Sequence, residues 1–71
     1  MLSDVEERQQ TIVNHLKINQ FARITELIDL VNYSEATVKR DLVVLEQSGL
    51  IRRVRGGAML VDNQKIDVPY M

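Results

Sequence analysis

The chain of 71 residues contains no cysteine and no tryptophan, and it has a single histidine and a single proline. The lack of cysteine excludes disulfide bonds, thiolate chemistry and cysteine-ligated zinc, and it is typical of proteins from a reducing compartment. His15 has no second ligand type clustered with it in the sequence, so neither a metal site nor a catalytic base is expected. We therefore predict a cytoplasmic protein that is not an enzyme and carries no cofactor and no metal.

The sequence also lacks a long apolar run. No segment approaches the roughly 20 apolar residues that are needed to cross a bilayer, and residues 1–7 are acidic where a signal peptide would be basic. With 45% hydrophobic residues, the chain is just large enough to bury one modest core without a metal or a disulfide. A single domain without membrane association is predicted.

Positive charge is not in excess overall, but it is concentrated in the middle of the chain. Nine Lys and Arg residues against ten Asp and Glu residues give a formal net charge of −1. Within residues 33–58, however, five Lys or Arg residues accompany only three acidic ones. A local surplus of this kind is typical of a surface that binds a polyanion such as nucleic acid.

Capping residues and apolar periodicity predict three helices. Ser3 and Glu6 form a capping-box pattern, so a first helix is expected over residues 4–18. A brief strand over residues 21–24 and a short, mostly buried helix over residues 24 or 25 to 31 follow. Asn32 tolerates the left-handed conformation of a tight turn, and Ser34 is a good N-cap for a third helix that ends at Gly49. The predicted core positions are Val5, Ile12, Val13, Leu16, Leu27, Ile28, Leu30, Val31, Val38, Leu42 and Leu45.

A basic hairpin is predicted after the third helix. Residues 50–55 and 58–61 read as two strands, and Gly56 and Gly57 supply a turn that requires positive φ. Two helices joined by a short turn and followed by a hairpin form a winged helix-turn-helix. The predicted fold is therefore mainly α with a small β-hairpin, three helices plus a wing, within residues 1–61. Residues 62–71, which contain the only proline, are expected to be a linker or tail.

The outward face of the third helix is the first candidate DNA-contacting surface. Short side chains near its N-terminus permit close approach to base edges in a major groove. Two cations one turn later reach phosphates or guanine. A solvated amphipathic helix explains the same residues equally well when the helix is considered alone. The predicted contacts are Ser34, Ala36, Thr37, Lys39 and Arg40.

The hairpin is the second candidate surface. Period-two alternation places Arg53 and Arg55 on one side of a strand and Arg52 on the other, and glycine lets the backbone approach a phosphate closely. Such a wing fits a flanking phosphate or a narrow minor groove. The alternative is a charged edge strand that prevents aggregation. The predicted contacts are Arg53, Arg55, Gly56 and Gly57.

Three other residues in this region are assigned structural roles. Glu35 stabilises the helix dipole, although a cytosine amino group is an alternative partner. Asp41 is expected to pair with a nearby arginine, Arg40 or one in the wing, or to accept from a backbone donor. Tyr33 is expected to pack against the core with its hydroxyl group in water rather than to bind a phosphate.

Three sequence strings occur together at characteristic separations. They read Glu7-Arg8-Gln9-Gln10, Ser34-Glu35-x-Thr37-x-Lys39-Arg40-Asp41-Leu42 and Leu45-Glu46-x-x-Gly49-Leu50-x-x-Arg53-x-Arg55-Gly56-Gly57-Ala58. Residues 5–60 thereby resemble the N-terminal domain of the DeoR-type bacterial transcription regulators. The resemblance implies an operator-binding module, a repressor of sugar or nucleoside metabolism genes. Lys39 stands where the family has arginine, which favours a phosphate contact there, and Arg55 stands where the family has histidine.

The resemblance also implies partners. Members of this family carry a C-terminal domain that binds a phosphorylated sugar effector and drives homo-oligomerisation, and residues 62–71 would lead to such a domain, which is absent here. The predicted partner of this chain is double-stranded operator DNA. The alternative function is a protein-interaction module whose arginines face an acidic partner, supported by Val43 and Val44, predicted to be exposed. RNA binding ranks third because aromatic stacking platforms are lacking.

Overall fold

The computed structural model describes residues 3–61, which form three helices and three short strands. The elements are α1 (Asp4–Asn19), β1 (Phe21–Arg23), α2 (Ile24–Val31), α3 (Glu35–Gln47), β2 (Ile51–Val54) and β3 (Gly57–Leu60). These bounds confirm the three predicted helices and the hairpin. The predicted tail, residues 62–71, lies outside the described residues. No helix in residues 3–61 is long and apolar enough to cross a bilayer.

Short-range hydrogen bonds explain where the helices begin and end. Ser3 Oγ accepts from the backbone N–H of Glu6 at 3.1 Å, and Glu6 Oε1 accepts from that of Ser3 at 3.2 Å, so the predicted capping box is present. Ser34 caps α3, its Oγ accepting from the backbone N–H of Thr37 at 3.2 Å. Asn32 ends α2 with φ 61° and ψ 43°, the left-handed conformation that was predicted.

The strands form one antiparallel sheet in the order β1-β3-β2. The hairpin β2–β3 is the predicted wing. β1 pairs with the edge of β3 that faces away from β2, with Ala22 opposite Ala58. The sheet is therefore part of the body of the domain, because β1 connects α1 directly to α2.

The turn of the wing lies one residue earlier than predicted. Val54 pairs with Gly57, so the two loop residues are Arg55 and Gly56, and it is Gly56 that has positive φ, +79°. Gly57 is the first residue of β3 and is buried. A Cβ at Gly57 would lie 2.1 Å from the carbonyl oxygen of Ala22, so its lack of a side chain is required by the close approach of β1.

The core is a single apolar cluster to which the helices and the sheet both contribute. It is formed by Ile12, Val13, Leu16, Ala22, Leu27, Val38, Leu42, Leu45, Ile51 and Ala58. Every helix and every strand contributes at least one residue, and α3 contributes three. Burial of these apolar side chains is the main favourable term that holds α3 against the rest of the domain.

Several predicted core positions are more exposed than expected. Val5 is 47% exposed and Leu30 is 40% exposed, and in α2 only Leu27 is fully buried. One turn after Val5 the residues of α1 that face α3 are polar, since Arg8 and Gln9 bind Asp41 of α3 there. Conversely, Val43 is half-buried rather than exposed.

Candidate nucleic-acid interface

The N-terminus of α3 carries a small hydroxyl network. Ser34 Oγ donates to Thr37 Oγ1 at 3.0 Å while accepting from the backbone N–H of Thr37. The hydroxyl proton of Ser34 is therefore used within the helix cap, whereas that of Thr37 remains available to a ligand. Ser34 and Ala36 are exposed and Thr37 is half-buried. The helix end that was predicted to read bases is therefore accessible to solvent, and within it Ser34 acts on Thr37.

The two cations of α3 differ in their surroundings. Lys39 Nζ lies 2.9 Å from Glu35 Oε2, one helical turn earlier, and both side chains are about 60% exposed. Exposed pairs of this spacing contribute about 0.3–0.5 kcal/mol, so the ammonium group can readily exchange Glu35 for a phosphate. Arg40 is exposed and has no ion-pair partner among residues 3–61. It lies one turn after Ala36, on the same helix face.

The wing arginines do not share one side of a strand, and that prediction is wrong. β2 ends at Val54, so Arg55 is an exposed turn residue. Arg53 lies opposite Ala58 of the core, and its side chain turns back to α3. Arg52 is exposed and lies opposite Met59, on the other face of the sheet, as predicted. Within residues 3–61 neither Arg52 nor Arg55 has an ion-pair partner.

Arg53 is held by Glu46, near the C-terminal end of α3. Glu46 Oε1 accepts from Arg53 Nε at 2.8 Å, and Glu46 Oε2 accepts from the backbone N–H of Arg53 at 3.1 Å. Together these bonds hold the pKa of Glu46 below its usual range, and the bond from the guanidinium contributes more than the backbone bond. The pairing of Glu46 with Arg53 was not predicted from the sequence, because nothing local relates a residue of α3 to a strand position seven residues later.

The wing and α3 border a common groove of about 440 Å³. Two contacts position the wing: the bond from Arg53 to Glu46, and the backbone N–H of Ile24, which donates to the carbonyl oxygen of Gly56 at 2.9 Å. The groove brings together Lys39, Arg53, Gly56 and Gly57 of the predicted contacts. Its complete lining is Ile24, Glu35, Lys39, Leu42, Arg53, Val54, Gly56 and Gly57.

The remaining predicted contacts do not line this groove. Ser34, Ala36, Thr37 and Arg40 belong to the N-terminal half of α3 and its cap, and Arg55 projects from the tip of the wing. Gly57 reaches the groove, but it is buried and its conformation is explained by the contact with Ala22.

Asp41 pairs with Arg8 of α1, which corrects the prediction of Arg40 or a wing arginine. Arg8 donates to both carboxylate oxygens, from Nε to Oδ2 and from Nη2 to Oδ1 at 2.9 Å, and Gln9 Nε2 donates to Oδ1 at 3.2 Å. The side chains are 10% and 2% exposed. The bonds to Asp41 raise the pKa of Arg8, which therefore stays charged. A bidentate pair at this depth fixes α3 relative to α1.

Tyr33 packs on this ion pair and not in the core as predicted. The Arg8 guanidinium carbon lies 4.5 Å from the centre of the Tyr33 ring, which is the geometry of a cation–π contact, and Tyr33 is 41% exposed. Because Tyr33 belongs to the turn between α2 and α3, Arg8 contacts both the turn and the helix that follows it. The sequence contained one indication of these contacts of Arg8, because Arg8 and Gln9 stand side by side in the first of the three sequence strings.

His15 joins α1 to α2. Its Nε2 lies 2.6 Å from Glu26 Oε2, and the hydrogen bond from His15 is the main cause that lowers the pKa of Glu26. Among residues 3–61 there is no group of three or more His, Asp or Glu side chains that is arranged to hold a metal ion.

Comparison with known proteins identifies the family. A family model described as the DeoR-like helix-turn-helix domain matches residues 8–64. FruR of Bacillus subtilis (strain 168), described as an uncharacterized HTH-type transcriptional regulator, is 39% identical over 61 residues, 86% of this chain and 24% of FruR. The lactose phosphotransferase system repressor of Lactococcus lactis is 41% identical over 58 residues, 82% of this chain and 23% of the repressor.

A third relative covers almost the whole chain. The transcriptional repressor AccR of Agrobacterium fabrum (strain C58) is 38% identical over 69 residues, 97% of this chain and 27% of AccR. The chain thus spans about a quarter of the length of the curated relatives that it matches. No solved structure gives a significant match. The chain belongs to the DeoR family of helix-turn-helix transcription regulators, and its three helices and wing are the DeoR-like domain of that family.

Proposed function

We propose that α3 and the wing bind double-stranded operator DNA, with α3 in the major groove and the wing on the neighbouring backbone. The observation that carries this proposal is the groove between α3 and the wing, which is bordered by Lys39 on one side and Arg53 on the other. A phosphate strand that passes along it meets a cation from each element, and the exposed backbone at Gly56 allows close approach. Phosphate contacts of this kind supply most of the affinity.

Roles are divided between the two surfaces. Ala36 and Thr37 lie at the exposed N-terminal end of α3, where short side chains approach base edges, and they are proposed to read sequence. Arg40 and Arg55, which are without ion-pair partners within residues 3–61, are proposed to bind phosphate, together with Lys39 and Arg53. Ser34 acts through Thr37, and Gly57 supports the wing by packing against β1.

The biological role is proposed from the relatives. Two of those named above are repressors, one of them of the lactose phosphotransferase system. A cytoplasmic repressor of sugar or nucleoside metabolism genes, without catalytic activity, is the corresponding role for this chain. A phosphorylated sugar effector and homo-oligomerisation are proposed only for a domain beyond these residues. Two copies on a repeated or palindromic site would supply the affinity that one domain lacks.

A second candidate is a protein-interaction module. Val44 and Leu50 are each 45% exposed, and both line a groove between α1 and the C-terminal part of α3. An apolar exposed pair beside a groove favours a peptide or protein partner more than DNA. Val43 lends no support to this candidate, since it is half-buried.

A titration with duplex DNA tests the first candidate. Amide chemical shifts are followed while a mixed-sequence duplex is added, first at low and then at moderate salt. We expect the largest changes at residues 34–40 and 53–57, with weaker binding at the higher salt. If neither region responds at either salt, the proposal of DNA binding is wrong. Changes confined to Val44, Leu50 and their neighbours would contradict the placement of DNA on α3 and the wing.

A further inference from the structure

Glu46 places a carboxylate beside one of the cations that are proposed to bind DNA. Its side chain is 35% exposed and that of Arg53 is 51% exposed. A negative charge next to a phosphate path is unfavourable unless it contributes something that compensates for the repulsion. The geometry of the pair indicates what that contribution is.

The pair differs from an ordinary surface ion pair because it includes a backbone bond. Glu46 Oε2 accepts from the backbone N–H of Arg53 while Oε1 accepts from Nε of the same residue. The carboxylate therefore fixes both the main chain of β2 and the direction of the arginine side chain. Lys39 and Glu35, in contrast, are joined only by a side-chain contact within one helix.

The bonds to Glu46 leave most of the guanidinium free. An arginine side chain has five N–H donors, of which Nε–H supplies one and the two terminal nitrogens supply four. Within residues 3–61 the terminal nitrogens of Arg53 form no hydrogen bond. Those terminal donors are the ones that suit bidentate contact with phosphate oxygens.

We propose that Glu46 is a positioning residue for DNA binding: it orders the guanidinium of Arg53 in advance so that the terminal nitrogens are presented to a phosphate. This inference rests on the proposed function of the groove. Ordering the side chain before binding reduces the conformational entropy that is lost when the phosphate is bound. The carboxylate is ionised at neutral pH, since hydrogen bonds from Arg53 hold its pKa low.

The sign of a charge-removing substitution tests this inference. If Glu46 only repels DNA, Glu46→Gln should strengthen binding, because one negative charge near the phosphates is removed. If Glu46 positions Arg53, Glu46→Gln should weaken binding about three- to tenfold. It should also reduce the slope of log affinity against log salt by up to about 0.9, the value of one phosphate contact.

The chain offers a matched control in Glu35. It is also an acidic residue on α3 that borders the groove and pairs with a cation, but it makes no backbone bond to the wing. Affinity is measured by fluorescence anisotropy with a labelled mixed-sequence duplex over a series of salt concentrations. Glu35→Gln should bind as tightly as the unmodified chain or more tightly, with no loss of salt slope.

Two further variants guard against changes in charge or folding. Glu46→Asp keeps the charge but shortens the reach, so it should weaken binding as Glu46→Gln does. Arg53→Ala should weaken binding at least as much, and adding Glu46→Gln to it should cause no further loss, since both act through one contact. Thermal unfolding of each variant confirms that the domain is folded at the temperature of measurement.

The outcomes separate this inference from the proposed function. If the unmodified chain does not bind duplex DNA, the proposed function fails and the positioning role fails with it. If the unmodified chain binds, but Glu46→Gln and Glu46→Asp keep its affinity and salt slope, the positioning role alone is overturned. Weaker binding by both variants, with a smaller slope and an unaffected Glu35→Gln, supports it.

Discussion

At the scale of single residues, neighbouring glycines in the wing meet different constraints. Gly56 has φ +79° and nothing within 4 Å of the place a Cβ would take, so its constraint is conformational. Gly57 lacks positive φ, but a Cβ there would collide with the main chain of Ala22. One position is limited by its own backbone and the other by a neighbouring strand.

Substitution by alanine should distinguish the two positions. Gly56→Ala is expected to cost about 1–2 kcal/mol, the penalty for a residue with a Cβ in the left-handed region. Gly57→Ala is expected to cost about 3 kcal/mol or more, because the contacted atom belongs to rigid backbone and β1 must move. Urea denaturation of both variants measures the difference. Equal losses would mean that β1 does not approach β3 as closely as described.

Thr37 and Arg55 should affect DNA binding in different ways. Arg55→Ala should weaken binding to all sequences alike and reduce the salt slope by about 0.9, because a phosphate contact carries no sequence information. Thr37→Ala should change which sequence is preferred, with little change in slope. Competition binding against a randomised duplex library gives both results. An equal loss across all sequences for both variants would refute this division of roles.

At the scale of secondary-structure elements, α3 is held by a polar contact in addition to the core. Arg8 and Gln9 of α1 bind Asp41, and Arg8 also stacks on Tyr33 in the turn before α3. The hydrophobic effect that holds the core together has no preferred direction, whereas a bidentate ion pair has one geometry. The contact thereby sets the direction in which α3 presents its exposed face.

Removing Asp41 should be severely destabilising. Breaking a buried pair costs about 3–5 kcal/mol, because the remaining charge is left without a partner. A domain of this size has a total stability of roughly 3–9 kcal/mol. We therefore expect Asp41→Ala to be largely unfolded near physiological temperature. Asp29→Ala, which removes an exposed carboxylate on α2, should stay within about 0.5 kcal/mol of the unmodified chain. Circular dichroism melting curves compare the two.

The elements differ in how far the sequence predicted them. Ser3, Asn32 and Ser34 determine helix ends through bonds that span only a few residues, so their patterns could be interpreted correctly. The partner of Asp41 is distant in the chain, and nothing in the local pattern around residue 41 indicates which helix faces it. The same limit applies to the pair of Glu46 and Arg53. The direction of the Arg53 side chain could be assigned only once the turn of the wing was known to lie at residues 55–56.

At the scale of the whole molecule, two carboxylates besides Asp41 join separate elements. Glu26 connects α2 to His15 of α1, and Glu46 connects α3 to β2. Hydrogen bonds from His15 and Arg53 lower the respective pKa values from the ordinary 4.5. A carboxyl group with a lowered pKa in the folded state binds protons more readily when unfolded. Its stabilising contribution is complete above the ordinary pKa and is lost as the pH falls through the lowered one.

The melting temperature should therefore fall as the pH is lowered from about 5 towards 3. Replacing both carboxylates, Glu26→Gln with Glu46→Gln, should make the melting temperature less dependent on pH over that interval. Differential scanning calorimetry at several pH values tests this, and an unchanged dependence in the double variant would contradict it.

The pairing of β1 with β3 has a consequence for folding. Ala22 and Ala58 lie far apart in the chain, and non-local pairs of this kind carry a larger loop-closure cost than the local hairpin β2–β3. We therefore expect the wing to reach its full stability only when β1 is paired with it. Amide hydrogens of β3 should exchange with solvent only through global unfolding. In a domain of small total stability, the surface proposed to bind DNA would then be lost in one step on heating, so the DNA binding proposed for it would be sensitive to temperature.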